Sequence, residues 1–151
     1  MSQNLDQSVG AINFGTEKDQ QGKLRVQERP LLRVLVVDDN IDAAKTLGWM
    51  LELMGHKAYV AYDGATALKI AQKVLPHAVL LDLGMPHMNG FELCQVMKQS
   101  ADLRHTVFIA ETGWEPERHE SLSKEAGFDY YLVKTIEMDK LQKTLSSLLK
   151  F

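Results

Sequence analysis

A chain of 151 residues fits one domain of roughly 150 residues, and 45% hydrophobic with 25% charged residues is too apolar for a disordered chain. Seventeen Lys and Arg against twenty Asp and Glu leave a net charge of −3, so there is no basic field to drive binding to a nucleic-acid backbone. The single Cys94 excludes an intramolecular disulfide or a Cys-based zinc site, and no apolar run approaches the ~20 residues of a membrane span.

Residues 1–20 lack the basic-then-apolar pattern of a signal peptide, which leaves a cytoplasmic protein with no membrane partner as the expectation. Residues 1–30 are rich in Gln, Asn, Gly and Ser, and their apolar residues are isolated. Such a segment buries too little to offset the entropy of ordering it, so a flexible N-terminal extension is expected, followed by one folded domain over residues 31–151.

From Leu31 the pattern alternates. Leu31–Val37 is a nearly unbroken apolar run, as suits a strand covered on both faces. Ala43, Leu47, Met50 and Met54 follow at helical spacing, with Asp39 or Asn40 as N-cap and Gly55 as stop. Lys57–Tyr62 predicts a second strand, and Asp63 caps a helix from Ala65 to Leu75 that Pro76 ends. Ala78–Leu81 is a third strand, and a loop then leads to a helix near Phe91–Gln99. Thr106–Ala110 is a fourth strand, and Pro116 opens a polar helix closed by Gly127. Tyr130–Val133 is a fifth strand, and Met138, Leu141, Leu145 and Leu148 mark a final helix. Strands alternating with helices imply right-handed crossovers and a parallel sheet with helices on both faces, an α/β three-layer fold.

In such sheets ligands bind beyond the carboxyl ends of the strands. There the sequence has Asp38 and Asp39, then Asp82, Thr112 and Lys134. Three converging carboxylates repel one another unless a cation is present, and oxygen ligands without Cys or His suit a hard ion such as Mg²⁺. An ionised carboxylate can attack phosphorus, and phosphoryl transfer asks mainly for positioning and charge neutralisation. The constellation points to a phosphoryl-accepting aspartate.

The segments VLVVDDN (34–40), VLLDLGMPHMNGFEL (79–93), IAETGW (109–114) and YYLVKT (130–135) resemble the receiver domain of two-component response regulators. The resemblance runs from residue 31 to about residue 150 and implies a flavodoxin-like (βα)5 fold with strand order 2-1-3-4-5. It implies that Asp82 accepts a phosphoryl group from a phosphohistidine on a sensor histidine kinase or histidine phosphotransfer protein. It also implies Mg²⁺ (or Mn²⁺) held by Asp38, Asp39, Asp82 and the backbone carbonyl of Gly84, with Lys134 pairing with the phosphoryl group. Thr112 and Tyr131 would be the switch residues. Readout would pass through the fourth helix, fifth strand and fifth helix, including Tyr130 and Glu115–Glu125, a face that could also pair two copies of the chain. The family is not a turnover enzyme; it catalyses only its own phosphorylation and dephosphorylation.

The chain departs from that pattern in two places. Thr135 follows the lysine where the family has a proline in a cis peptide. Because a cis bond before a non-proline residue costs roughly 2.5–4 kcal/mol, a trans Lys134–Thr135 bond is expected. Glu111 stands where an apolar residue is usual; a solvated side chain at the strand's end is expected, with tuning of the site's charge as the functional alternative. Gly84 and Trp114 occupy positions governing water access to the acceptor in similar proteins, and together they predict slow self-dephosphorylation.

The five histidines lack ligand spacing, and Cys94 is expected to be a packed thiol beside Leu93 and Met97. Trp49 suits either core or a docking anchor. A haloacid-dehalogenase-type phosphatase does not fit because Asp38-Asp39-Asn40 lacks the D-x-D spacing, and a flavin fits poorly because acidic strand ends would repel its phosphate without a metal. The remaining alternative is a degenerate receiver that binds protein without being phosphorylated.

Overall fold

Five short strands, each ending at the same rim, build the sheet on which everything else rests. The computed structural model describes residues 16–18, 21, 24–26, 32–86, 89–113 and 127–148. The strands are β1 (Arg33–Val37), β2 (Lys57–Ala61), β3 (Ala78–Asp82), β4 (Val107–Thr112) and β5 (Tyr130–Val133). All neighbouring pairs are parallel and the order is β2-β1-β3-β4-β5. β1, the most apolar run in the chain, lies next to the centre, and β3 is buried along its whole length. β5 is an edge strand, which leaves Tyr130 and Val133 exposed.

Four α-helices cover the sheet among the described residues: α1 (Ile41–Leu53), α2 (Gly64–Val74), α3 (Gly90–Lys98) and α4 (Met138–Ser147). The helix expected to open at Pro116 lies outside the described residues, so α4 is the last helix of the predicted series. Strand alternation sorts the core into two layers. Leu35, Val37, Val79, Leu81, Phe108 and Ala110 pack with Ala67 and Ala71 of α2 and with Leu93, Cys94 and Met97 of α3. On the other face Val34, Val36, Leu80 and Ile109 pack with Ala44, Leu47 and Leu51 of α1 and with Leu141 and Leu145 of α4. Trp49 belongs to neither cluster: it stands 56% exposed on α1.

Side-chain caps start the helices where the sequence places them. Asn40, rather than Asp39, caps α1 by accepting from the Ala43 amide at 3.0 Å, and Asp63 caps α2 by accepting from Thr66 at 2.8 Å. Gly55 follows α1 at φ +94°, a conformation that side chains resist. At the far end of α2 the Arg33 side chain donates to the carbonyls of Val74 (3.1 Å) and Leu75 (2.8 Å), satisfying groups the helix leaves open.

Within the segment expected to be a flexible extension, Thr16–Lys18 pairs antiparallel with Leu24–Val26. No described helix is long and apolar enough to cross a membrane.

Candidate functional site

Alternation along each strand decides what stands at the rim. Val36, Leu80, Ile109 and Leu132 face the α1/α4 layer, and two residues beyond each come Asp38, Asp82, Glu111 and Lys134. Backbone bonds extend the ladder through this row: the Asp38 amide donates to the Ala61 carbonyl at 3.1 Å, Leu83 to Glu111 at 2.9 Å, and Lys134 to Thr112 at 2.7 Å. Three carboxyl side chains and one ammonium are thereby fixed at the ends of four strands.

Asp38, Asp39 and Asp82 offer carboxylate oxygens that all lie within 4.8 Å of one another. Asp38 and Asp82 are buried and Asp39 is half-buried. The Lys134 Nζ donates to Asp82 Oδ2 at 3.0 Å and to Asp38 Oδ2 at 3.3 Å. One ammonium against three carboxylates leaves the cluster short of positive charge, and oxygen donors with no His or Cys among them suit a hard divalent ion such as Mg²⁺.

The electrostatics follow from this crowding. Burial pushes the Asp38 carboxyl above its usual range and the nearby Asp82 adds to the rise, while the Asn40 amide and the Lys134 ammonium oppose it. Burial alone would lower Lys134, but the hydrogen bond and charge of Asp82, with Glu111 and Asp38 behind it, raise it overall.

The oxygens are oriented locally. The Asn40 amide donates to Asp38 Oδ1 at 2.9 Å, and the Gly84 amide donates to Asp82 Oδ1 at 2.8 Å. A Cβ at Gly90 would lie 3.0 Å from the Asp82 carbonyl, so a glycine there lets α3 start hard against the acceptor strand. Neither Asn40 as a donor to Asp38 nor this close approach was legible in the sequence, since both depend on how loop and strand are juxtaposed.

A model of the response regulator receiver domain matches residues 34–146. The chain belongs to that family. Among curated relatives, the receiver is 33% identical over 118 residues to "Probable transcriptional regulator ycf27" of Cyanophora paradoxa, matching 78% of this chain and 48% of that protein. The chain thus spans about half of that relative. It is 30% identical over 119 residues to Protein PilH of Pseudomonas aeruginosa, matching 79% of this chain and 98% of PilH. Among solved structures, the chemotaxis protein CheY4 of Vibrio cholerae superposes with a TM-score of 0.74 at 28% identity, covering 79% of this chain and 99% of that one.

Within the receiver, Asp38, Asp39, Asp82 and Lys134 come together as the sequence predicts. Thr112 ends β4 and is 1% exposed. Tyr131 is half-buried on β5, packed against the α2/α3 layer. Trp114 and the stretch Glu115–Glu125 lie outside the described residues. Cys94 is fully buried, and burial pushes its thiol up to about 12, which agrees with a packed rather than a reactive thiol.

Two expectations are corrected. The Lys134–Thr135 peptide is cis, not trans. The expectation rests on the intrinsic trans preference before a non-proline residue, which this position does not follow; the lysine's amide donates to Thr112 and its ammonium to Asp82 and Asp38. Glu111 is not solvated but 1% exposed, because β4 continues through Thr112 and keeps position 111 inside the sheet. Burial pushes its carboxyl up to about 8, and Oε1 has no hydrogen-bond partner among the described residues.

Proposed function

We propose that this receiver takes a phosphoryl group onto Asp82 from a phosphohistidine on a sensor histidine kinase or histidine phosphotransfer protein. Support comes chiefly from one arrangement: a buried carboxylate held at 2.8 Å by a backbone amide and at 3.0 Å by an ammonium, with two further carboxylates beside it. An Asp82 oxygen attacks phosphorus as the P–N bond to the donor imidazole breaks, and that nitrogen leaves with the bond's electron pair and takes up a proton. Asp38, Asp39, Asp82 and the Gly84 carbonyl would hold Mg²⁺ or Mn²⁺. When bound, such an ion neutralises the carboxylates and draws phosphoryl oxygens into line.

Lys134 pairs with the phosphoryl group once Asp82 carries it. Thr112 and Tyr131 then shift together, because a new dianion at one end of the sheet biases two arrangements that already exist. The exposed Tyr130 and Val133 on β5, together with α4, form part of the face that would pass the change to a protein partner or a second copy. On this reading the protein is a cytoplasmic phospho-switch and catalyses no reaction but its own modification. Gly84, which brings no side chain to position a water, favours a long-lived aspartyl phosphate.

Incubation with acetyl phosphate and Mg²⁺ tests the reading by intact-protein mass. The expected result is one phosphate on the wild type and none on Asp82→Asn or in EDTA. No phosphate under any condition would identify a degenerate receiver instead.

A further inference from the structure

The Glu111 side chain takes no part in the phosphoryl transfer proposed above, although its backbone belongs to the ladder of β4. Its carboxyl is buried at the rim, on the same sheet face as Asp38, Asp82 and Lys134, and Oε1 is left without a partner. A buried carboxyl oxygen with no hydrogen-bond partner is unfavourable and calls for a donor. Glu111 and Lys134 line one cleft of about 390 Å³, together with Asp38 and with Thr46 and Leu47 of α1.

The ammonium has three donors, and Asp82 and Asp38 engage two of them. Charge links the pair as well: Lys134 is what pulls the buried Glu111 carboxyl back down, and Glu111 stands ahead of Asp38 among the charges holding the ammonium protonated. Both current partners of Lys134 belong to the cluster suited to a divalent ion. Once their oxygens are turned to such an ion, the ammonium loses much of its attraction to them.

We propose that Glu111 is a positioning residue for Lys134: when Asp38 and Asp82 turn to a divalent ion, the Glu111 carboxylate becomes the ammonium's partner and keeps Nζ beside the acceptor. This rests on the metal site of the reading above. Glu111 touches neither ion nor phosphoryl group; it acts only through the lysine. In a receiver with an apolar residue at this position, the ammonium would have water in place of this partner.

The Lys134 Cε–Hε resonances in lysine-labelled full-length protein test this, because the two Hε protons are inequivalent when the ammonium is pinned and merge when it is free. Without metal, wild type and Glu111→Gln should both show a pinned Lys134, held by Asp82 and Asp38. With saturating Mg²⁺ the wild type should stay pinned, Glu111→Gln should merge, and Glu111→Asp should recover part of the splitting. A pinned Lys134 in Mg²⁺-loaded Glu111→Gln would overturn the proposal, as would a merged one in Mg²⁺-loaded wild type. Mg²⁺ binding is read separately from the amide shifts of Asn40 and Gly84. If those do not move, the metal site itself fails and the proposal with it; if they move while Lys134 ignores the substitution, the role of Glu111 alone fails.

Discussion

Lys134, at the end of the edge strand β5, reaches across β4 to place its Nζ 3.0 Å from Asp82 Oδ2 on β3. The same ammonium lies 3.3 Å from Asp38 on the next strand over, so one cation ties three strand ends together.

Removing that cation leaves two buried carboxylates facing each other. Lys134→Met should lower stability in EDTA at neutral pH by about 1–3 kcal/mol, discounted because the lysine is partly exposed. Urea unfolding gives the value, and added Mg²⁺ should recover part of the loss.

Glu111 should imprint a pH dependence on stability. Its folded value is raised to about 8 from an ordinary 4.5, so its contribution is complete below pH 4.5 and is lost as pH rises through 8. Between those limits wild-type stability should fall, relative to Glu111→Val, by roughly 1 kcal/mol per pH unit. Parallel unfolding curves of the two proteins across that range, taken in EDTA, would show instead that the carboxyl is solvated.

Divalent binding should stabilise the fold by mass action. At a hundredfold excess over its dissociation constant Mg²⁺ should add about 2.7 kcal/mol, and Asp39→Asn should remove most of that gain while leaving the metal-free stability within about 0.5 kcal/mol. Thermal melts with and without the ion decide it. Asp39 is the suitable position because it takes no part in the Lys134 ion pairs.

Cys94 should be inert in the native state. With its thiol fully buried and pushed up to about 12, a thiol reagent at mildly alkaline pH should label it only as fast as the protein unfolds, and completely in denaturant. Rapid labelling of the native protein would contradict the packing of Cys94 and Met97 of α3 against Phe108.

The apolar runs at 31–37 and 78–81, the helical spacing after Asn40 and the charged residues just past each strand specify a covered parallel sheet with an acidic rim. Periodicity and chain order are local properties, so the sequence by itself determined the layers, the strand order through the family it resembles, and the grouping of Asp38, Asp39, Asp82 and Lys134. Only the tertiary structure decided what depends on neighbours distant in sequence. β4 runs on through Thr112 beside β3 and β5, which buries Glu111 where a free strand end would have let it reach water. The cis peptide at Lys134–Thr135, contrary to the intrinsic preference of an isolated peptide, is likewise visible only in the tertiary structure. A residue's own preference governs where its surroundings are weak; where several strands converge, the summed contacts overrule it.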